Sequence, residues 1–330
     1  MKIAIVGTGA VARGNYLPFL AGQADVTLSY FSRTREKAEA CARDFGGRVY
    51  DSLRALVDDA PDAVLLLTNE TTRDAAATAL LDAGPVKRLF FEKPLVAQHG
   101  QAQVCEGDFT RAAALLARAE GAGVQTAMVF NYRFFAQSQR ARRIVAERNF
   151  GPLQQATLLV HFACWSHCID LLHLFGGRAA TITALAGDAG QAGDVAAAFT
   201  LVQGATGTIL GTGGTDFSLA LYDMTLCFAH GMLRFRDLDG TLEVYENGSR
   251  YAETHALIPN HSRWHQYDAS FEQALGAYLD SIRADAPPPV PGLAGVVELQ
   301  FEAALRRAVA ERRPVDVQGE FPLPMLGVRV

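Results

Sequence analysis

Gly7-Thr8-Gly9-Ala10-Val11-Ala12 stands directly after the apolar run Lys2–Val6 and opens a stretch of helical character. That spacing suits a phosphate cradle. The first glycine permits a tight turn, the second lets backbone approach a pyrophosphate, and the small Ala12 lets helix and strand pack closely. The helix N-terminus then offers free N–H groups to an anion. A glycine turn that serves packing alone is the competing reading, and the position inside a βαβ unit weighs against it. The next apolar run ends Tyr30-Phe31-Ser32-Arg33-Thr34-Arg35. A carboxylate at this point would bind both ribose hydroxyls of NAD. None is there, and Asp25 stands before the run, at the wrong end. Ser32 and Arg33 suit a 2′-phosphate, onto which a guanidinium forks two donors. The pattern therefore favours NADP(H) over NAD(H).

Further along, several side chains could act on a small-molecule substrate. Read alone, Lys93 is either a surface lysine ending a strand or an ammonium that steadies negative charge on a substrate oxygen. His167 is a natural proton carrier, since its reference pKa of about 6.5 lies near working pH. Asp170, three positions on, shares its helix face and could orient the ring or bind substrate. His173 falls on a different face and reads as structural. Tyr132 and Arg133 follow a strand and could meet a polar or anionic substrate; Arg133 could equally hold two domains together. Trp165 offers a hydrophobic or sugar-stacking surface, or a piece of core. Thr68 and Asn69 follow a strand's carboxyl end, where they could touch ribose or nicotinamide. His161, Cys164, His167 and Cys168 crowd into eight residues. Their spacing matches no finger pattern and no second ligand pair lies nearby, so no metal is expected.

The elements that must position these residues can be read from periodicity. Lys2–Val6, Val26–Phe31, Ala63–Leu67, Val86–Phe91 and Gln125–Phe130 are near-continuously apolar, as buried parallel strands are. Helical stretches near 10–22, 34–45, 71–83 and 108–122 alternate with them. That alternation predicts a doubly wound α/β domain. After Phe150-Gly151-Pro152 the pattern changes. Leu153–Phe162 leads into a helix near 165–175, and Asp239-Gly240 and Asn247-Gly248 signal hairpins. A mostly antiparallel sheet with one covered face is expected from 153 to 259. Helices follow near 265–284 and 292–312, separated by Pro287-Pro288-Pro289, and then an irregular tail with Pro322 and Pro324.

With Glu92-Lys93-Pro94 after the fourth strand, the chain resembles the Gfo/Idh/MocA family, named after glucose–fructose oxidoreductase and inositol dehydrogenase. The resemblance also rests on Gly7-x-Gly9-x-x-Ala12, Asn131-Tyr132-Arg133-Phe134, His167-x-x-Asp170 and the closing Glu311-Arg312-Arg313-Pro314-Val315. It covers nearly the whole chain and is specific for fold and cofactor, far less so for substrate. It implies an α/β Rossmann domain (1–130) and an α+β substrate-binding and oligomerisation domain (131–330) with an open, mostly antiparallel sheet. The C-terminal helices would pack partly back on the first domain. Substrate would sit between the domains beside the nicotinamide, and the chain would form a homodimer or homotetramer.

For the site, the resemblance implies that Lys93 is catalytic and that Glu92, Lys93 and Pro94 contact the cofactor. Glu92 would support the loop, and the Lys-Pro bond is often cis in this family. The implied activity is hydride transfer between a nicotinamide and a hydroxyl or carbonyl carbon of a sugar, cyclitol or similar polar substrate. The alternatives are a ketone or imine reductase of specialised metabolism and a non-catalytic NADP(H)-binding sensor.

Three departures from the family pattern bear on substrate. Ala163 stands where many sugar-oxidising members carry an aspartate, four residues before His167, and the approach to that helix is short. Ala97–Asp108 is longer than the usual connection; it reads as a surface insertion, with a cover over the active site as the second reading. Asn69-Glu70-Thr71-Thr72-Arg73 lacks the proline and histidine common there.

Composition sets the outer bounds. The chain has 330 residues and a net charge of −5. Its length suggests two domains, and its charge argues against nucleic acid or an anionic membrane surface as a partner. No apolar run approaches the roughly 20 residues that span a bilayer, and the N-terminal run before Gly7 is too short for a signal peptide. Five scattered cysteines suit a reduced, cytoplasmic protein.

Overall fold

The computed structural model describes residues 1–187, 194–212, 216, 218–258 and 261–324. The chain divides into two compact units. The first holds Met1–Val129 and Phe271–Leu299; the second holds Phe130–Ser270 and Gln300–Pro322.

The first unit is built on six strands: β1 (Lys2–Val6), β2 (Thr27–Phe31), β3 (Arg48–Val49), β4 (Ala63–Leu66), β5 (Arg88–Phe91) and β6 (Gln125–Met128). They pair in parallel in the order β3-β2-β1-β4-β5-β6. The strands are apolar on both faces because helices cover both, and Ile3, Ala4, Ile5 and Val64 have no exposed surface. The connecting helices are α1 (Leu17–Ala21), α2 (Arg35–Phe45), α3 (Leu53–Asp58), α4 (Arg73–Ala83) and α5 (Glu106–Gly121). A single π-helical turn, Ala12–Tyr16, leads into α1. Winding reverses between β1 and β4, and the carboxyl ends of these strands flank a crevice, where α/β sheets of this type bind ligands. β3 and α3 were not expected from sequence; α3 is six residues long and is marked by Ser52, whose hydroxyl accepts from the Ala55 N–H.

The second unit begins with α6 (Ala136–Glu147), β7 (Leu153–Val160) and α7 (Trp165–Gly176). It continues through β8 (Ala179–Ala186), β9 (Val195–Leu201), β10 (Thr206–Gly211), β11 (Tyr222–Phe228), β12 (Gly231–Arg236), β13 (Leu242–Glu246) and β14 (Glu253–His255). The strands form an open sheet in the order β14-β13-β12-β11-β7-β10-β9-β8-β15, where β15 is Val315–Asp316. Only β7 and β10 pair in parallel; every other described pair is antiparallel. Asp239-Gly240 lies in the β12–β13 turn and Asn247-Gly248 in the β13–β14 connection. Pro259, the end of the expected sheet region, lies outside the described residues.

Before the tail, β15 pairs with Thr181 and Ile182 of β8, and the described residues around Pro322 and Pro324 are irregular. In β7, Ala156, Leu158 and Val160 are buried while Thr157 and Leu159 are exposed. That period of two identifies a sheet covered on one face. On the other face Leu159, Leu185 and Leu210 stand exposed. The remaining helices are α8 (Arg263–Arg283), α9 (Leu293–Glu311) and α10 (Val317–Glu320). Among the described residues no helix is long and apolar enough to cross a membrane. All five cysteines are free thiols.

Candidate cofactor cleft and active-site residues

A cleft of about 560 Å³ opens at the carboxyl ends of β1, β2 and β4. Gly7, Thr8 and Gly9 line it at one wall, Ser32, Arg33, Thr34 and Lys37 at a second, and Thr68, Asn69 and Thr72 at a third. Gly7 adopts φ +99°, and a Cβ there would lie 2.6 Å from the Thr68 nitrogen. Glycine is therefore required by both conformation and close approach. A Cβ on Gly9 would meet nothing within 4 Å. Its bareness keeps backbone open to the cleft rather than serving packing. Ala12 is fully buried, Ala10 and Val11 are exposed, and none of these three lines the cleft.

The hydroxyls of Thr8 and Thr68 are buried without a hydrogen-bond partner among the described residues. Orphaned polar groups of this kind call for a ligand or a water. Together with the open Gly9 backbone they fit the pyrophosphate and ribose of a dinucleotide.

Among the described residues no carboxylate lines the cleft. Nearby charges divide into engaged and unengaged ones. Arg35 is taken up by Glu39 at 2.7 Å and by Asp51. Arg33 and Lys37 are exposed, line the cleft, and make no ion pair among the described residues. Ser32 Oγ accepts from the Thr34 N–H at 3.3 Å, which folds the loop tightly after β2. Lys37 was not singled out from sequence because it sits inside α2 rather than at the strand end.

β5 delivers Glu92-Lys93-Pro94, and the Lys93–Pro94 peptide is cis. Glu92 is buried. Its carboxylate accepts from the Tyr16 hydroxyl at 2.9 Å and from the Lys93 N–H at 2.6 Å. Arg73, also buried, donates to the carbonyls of Pro94 and, at 2.7 Å, Thr68. Burial pulls the Arg73 pKa down, against the pull of Glu92 and Glu70. A guanidinium remains a cation at any working pH. Glu92, Lys93 and Pro94 do not line the cleft. They connect to it through these braces. The Lys93 ammonium donates to Gln101 Oε1 at 3.1 Å.

In the second unit, α7 carries His167 and Asp170, and the turn after Phe130 carries Tyr132 and Arg133. Arg133 grips Asp170 through two hydrogen bonds of 2.7 and 2.5 Å. A buried carboxylate demands such a partner, and the guanidinium fork matches it. Arg133 and Asp170 thus engage each other within one unit rather than presenting bare charge. Two rings flank His167. Tyr132 stacks on it with centroids 4.0 Å apart and 5° between planes, and Phe130 meets it edge-on at 5.9 Å.

The Tyr132 hydroxyl lies 3.1 Å from Cys164 Sγ, and burial pushes its pKa well up. Trp165 is buried, and its indole N–H has no partner among the described residues. His161 is turned to its own loop, where Nδ1 accepts from the Ala163 N–H at 3.2 Å. Burial raises the Cys168 pKa and lowers that of His173 to about 3. Among the described residues no three His, Cys, Asp or Glu side chains converge as a metal site.

Comparison with known proteins adds to this picture. Residues 1–127 match the family model GFO_IDH_MocA, described as an oxidoreductase family with an NAD-binding Rossmann fold. The glucose-6-phosphate 3-dehydrogenase of Bacillus subtilis (strain 168) is 22% identical over 161 residues, spanning 49% of this chain and 42% of that protein. The match thus spans less than half the length of that relative.

Three solved structures share the fold over nearly the whole chain. An oxidoreductase from Agrobacterium radiobacter in complex with NAD+, L-tartaric acid and magnesium has TM-score 0.80 and 16% identity, covering 97% of this chain and 99% of that one. The WlbA dehydrogenase from Bordetella pertussis, in complex with NADH and UDP-GlcNAcA, has TM-score 0.76 and 19% identity, covering 96% and 97%. UDP-N-acetylglucosamine 3-dehydrogenase GnnA from Acidithiobacillus ferrooxidans has TM-score 0.74 and 21% identity, covering 94% and 98%. Over its first 127 residues the chain is thus similar to the Gfo/Idh/MocA oxidoreductase family and its NAD-binding Rossmann fold.

Proposed function

We propose that this protein is an NADP(H)-dependent oxidoreductase acting on a hydroxyl or carbonyl carbon of a sugar, cyclitol or similar polar substrate. The observation that carries the cofactor reading is the ribose end of the cleft. Arg33 and Lys37 stand there beside the hydroxyls of Ser32 and Thr34, and among the described residues neither has an ion pair and no carboxylate lines the wall. A 2′-phosphate supplies the missing negative charge. Sugar chemistry is supported by the names of relatives that act on glucose 6-phosphate or UDP-N-acetylglucosamine.

The bound nicotinamide supplies or accepts hydride. The chain's residues do the rest. The backbone of Gly7–Gly9 and the Thr8 hydroxyl hold the pyrophosphate, with Thr68 and Asn69 toward the ribose and nicotinamide end. Lys93 donates to the reacting oxygen and steadies its charge. His167, in the second unit, is the proton carrier of this reading, giving a proton in reduction and taking one in oxidation. Tyr132 holds the imidazole plane, and Arg133 with Asp170 stiffens α7 beneath it.

The test is a nicotinamide-absorbance assay in both directions, with NADP(H) and NAD(H). It covers sugars, sugar phosphates, nucleotide sugars, cyclitols, ketones and imines. Lys93→Met should lower kcat by about 10²-fold or more on any substrate found. Lys93-dependent reduction of a ketone or imine, with silence on polyols, would move the enzyme to specialised metabolism. Tight NADPH binding with no turnover across the panel would instead identify a sensor.

A further inference from the structure

The connection from Pro94 to α5 is a fastened loop rather than a loose insertion. Val96, Ala97 and Val104 are buried. The buried Asp108 carboxylate accepts from the N–H groups of Gln98 and Cys105, both at 2.9 Å, and so ties the loop at two places. The Ala97 N–H donates to the Glu70 carbonyl, and the Gln101 N–H to Glu70 Oε1, both at 3.4 Å. Gly100, at φ +87°, turns the chain into a short helical turn, Gln101–Gln103. These ties bring Gln101 Oε1 to 3.1 Å from Lys93 Nζ.

The chemistry of the contact is informative. An ammonium only donates, so the Gln101 carboxamide must present its oxygen to Lys93. A carboxamide carries no formal charge, and Lys93 makes no ion pair among the described residues. A carboxylate in this place would neutralise the ammonium as well as orient it. The amide orients it and leaves its charge, and its remaining N–H donors, for another acceptor. A lysine stem without such a hold samples many rotamers.

We propose that Gln101 is a positioning residue for Lys93, holding the ammonium through the 97–105 loop with its charge intact for a substrate oxygen. This rests on the reading of Lys93 as the group that meets the reacting oxygen.

The acetylation test uses the whole 330-residue chain and needs no known substrate. The pH dependence of Lys93 acetylation by acetic anhydride is followed by mass spectrometry in the parent, Gln101→Ala and Gln101→Glu. Gln101 is exposed, and Gln101→Glu keeps both size and acceptor, so a folded variant is secured. Gln101→Glu should raise the Lys93 midpoint by about one pH unit, as an opposite charge within hydrogen-bonding reach does. Gln101→Ala should speed acetylation, since the amine loses the acceptor that holds it. Profiles in both variants that superimpose on the parent would overturn the proposal. Turnover of Lys93→Met is read separately. If it equals that of the parent, the assignment of Lys93 to the reacting oxygen falls, while the acetylation result still decides whether Gln101 holds it.

Discussion

Arg33 and Lys37 line the cleft and make no ion pair among the described residues. Arg35, between them in sequence, is already committed to Glu39 and Asp51. A phosphate at the ribose end would meet both free cations, and each charge-assisted hydrogen bond contributes about 1.5–3 kcal/mol. Arg33→Ala should therefore weaken NADP(H) binding by about 10- to 100-fold while leaving NAD(H) nearly unchanged, with Lys37→Ala acting in the same direction. Fluorescence titration with both reduced cofactors checks this. Equal losses for the two would show that neither side chain reads the phosphate. Arg33 could be picked out from sequence because it follows an apolar run with no acid at its end. Lys37, Arg73 and Gln101 could not. Their positions in the site come from a helix turn, a buried side chain bridging two loops, and a loop folding back, none of which leaves a periodic signal.

At the scale of elements, the parallel strands were legible because burial on both faces leaves continuous apolar runs, and their ends differ from expectation by two residues at most. β3 and α3 were not, since two and six residues are too few to establish a period. α6 is not legible in the sequence for another reason. Its buried stripe is Ser138, Ala141 and Ile144, of which only one is a large apolar residue. The loop between β1 and the following helix allows a sharper test of how a turn serves two purposes. Gly7→Ala places a methyl against the backbone of Leu67 and Thr68 in a conformation that disfavours side chains. It should cost stability by about 1–3 kcal/mol or more, read as a lower melting temperature. Gly9→Ala has room in the protein alone, so its melting temperature should match the parent while cofactor affinity falls. A Gly9 variant that binds cofactor normally would show that the backbone there is not where the pyrophosphate lies.

At the scale of the whole molecule, the uncovered face of the second sheet presents Leu159, Leu185 and Leu210, the second of them 71% exposed. Contiguous apolar surface of this kind marks an interaction site. Self-association through this face is the expected use, and light scattering after size exclusion should report a dimer or tetramer. Leu185→Asp with Leu210→Asp should shift that mass to the monomer; an unchanged mass would place the interface elsewhere. Within the first unit, two braces run from the cleft to the lysine turn. One passes from the helix after the glycine loop through Tyr16 and Glu92 to the Lys93 N–H. The other joins Thr68 to Pro94 through Arg73. A nucleotide settling against the glycine loop and Thr68 would load the frame that carries the lysine. In kinetic terms, the order of addition then matters: nucleotide first and substrate second, so that the ammonium meets its oxygen in a frame already set.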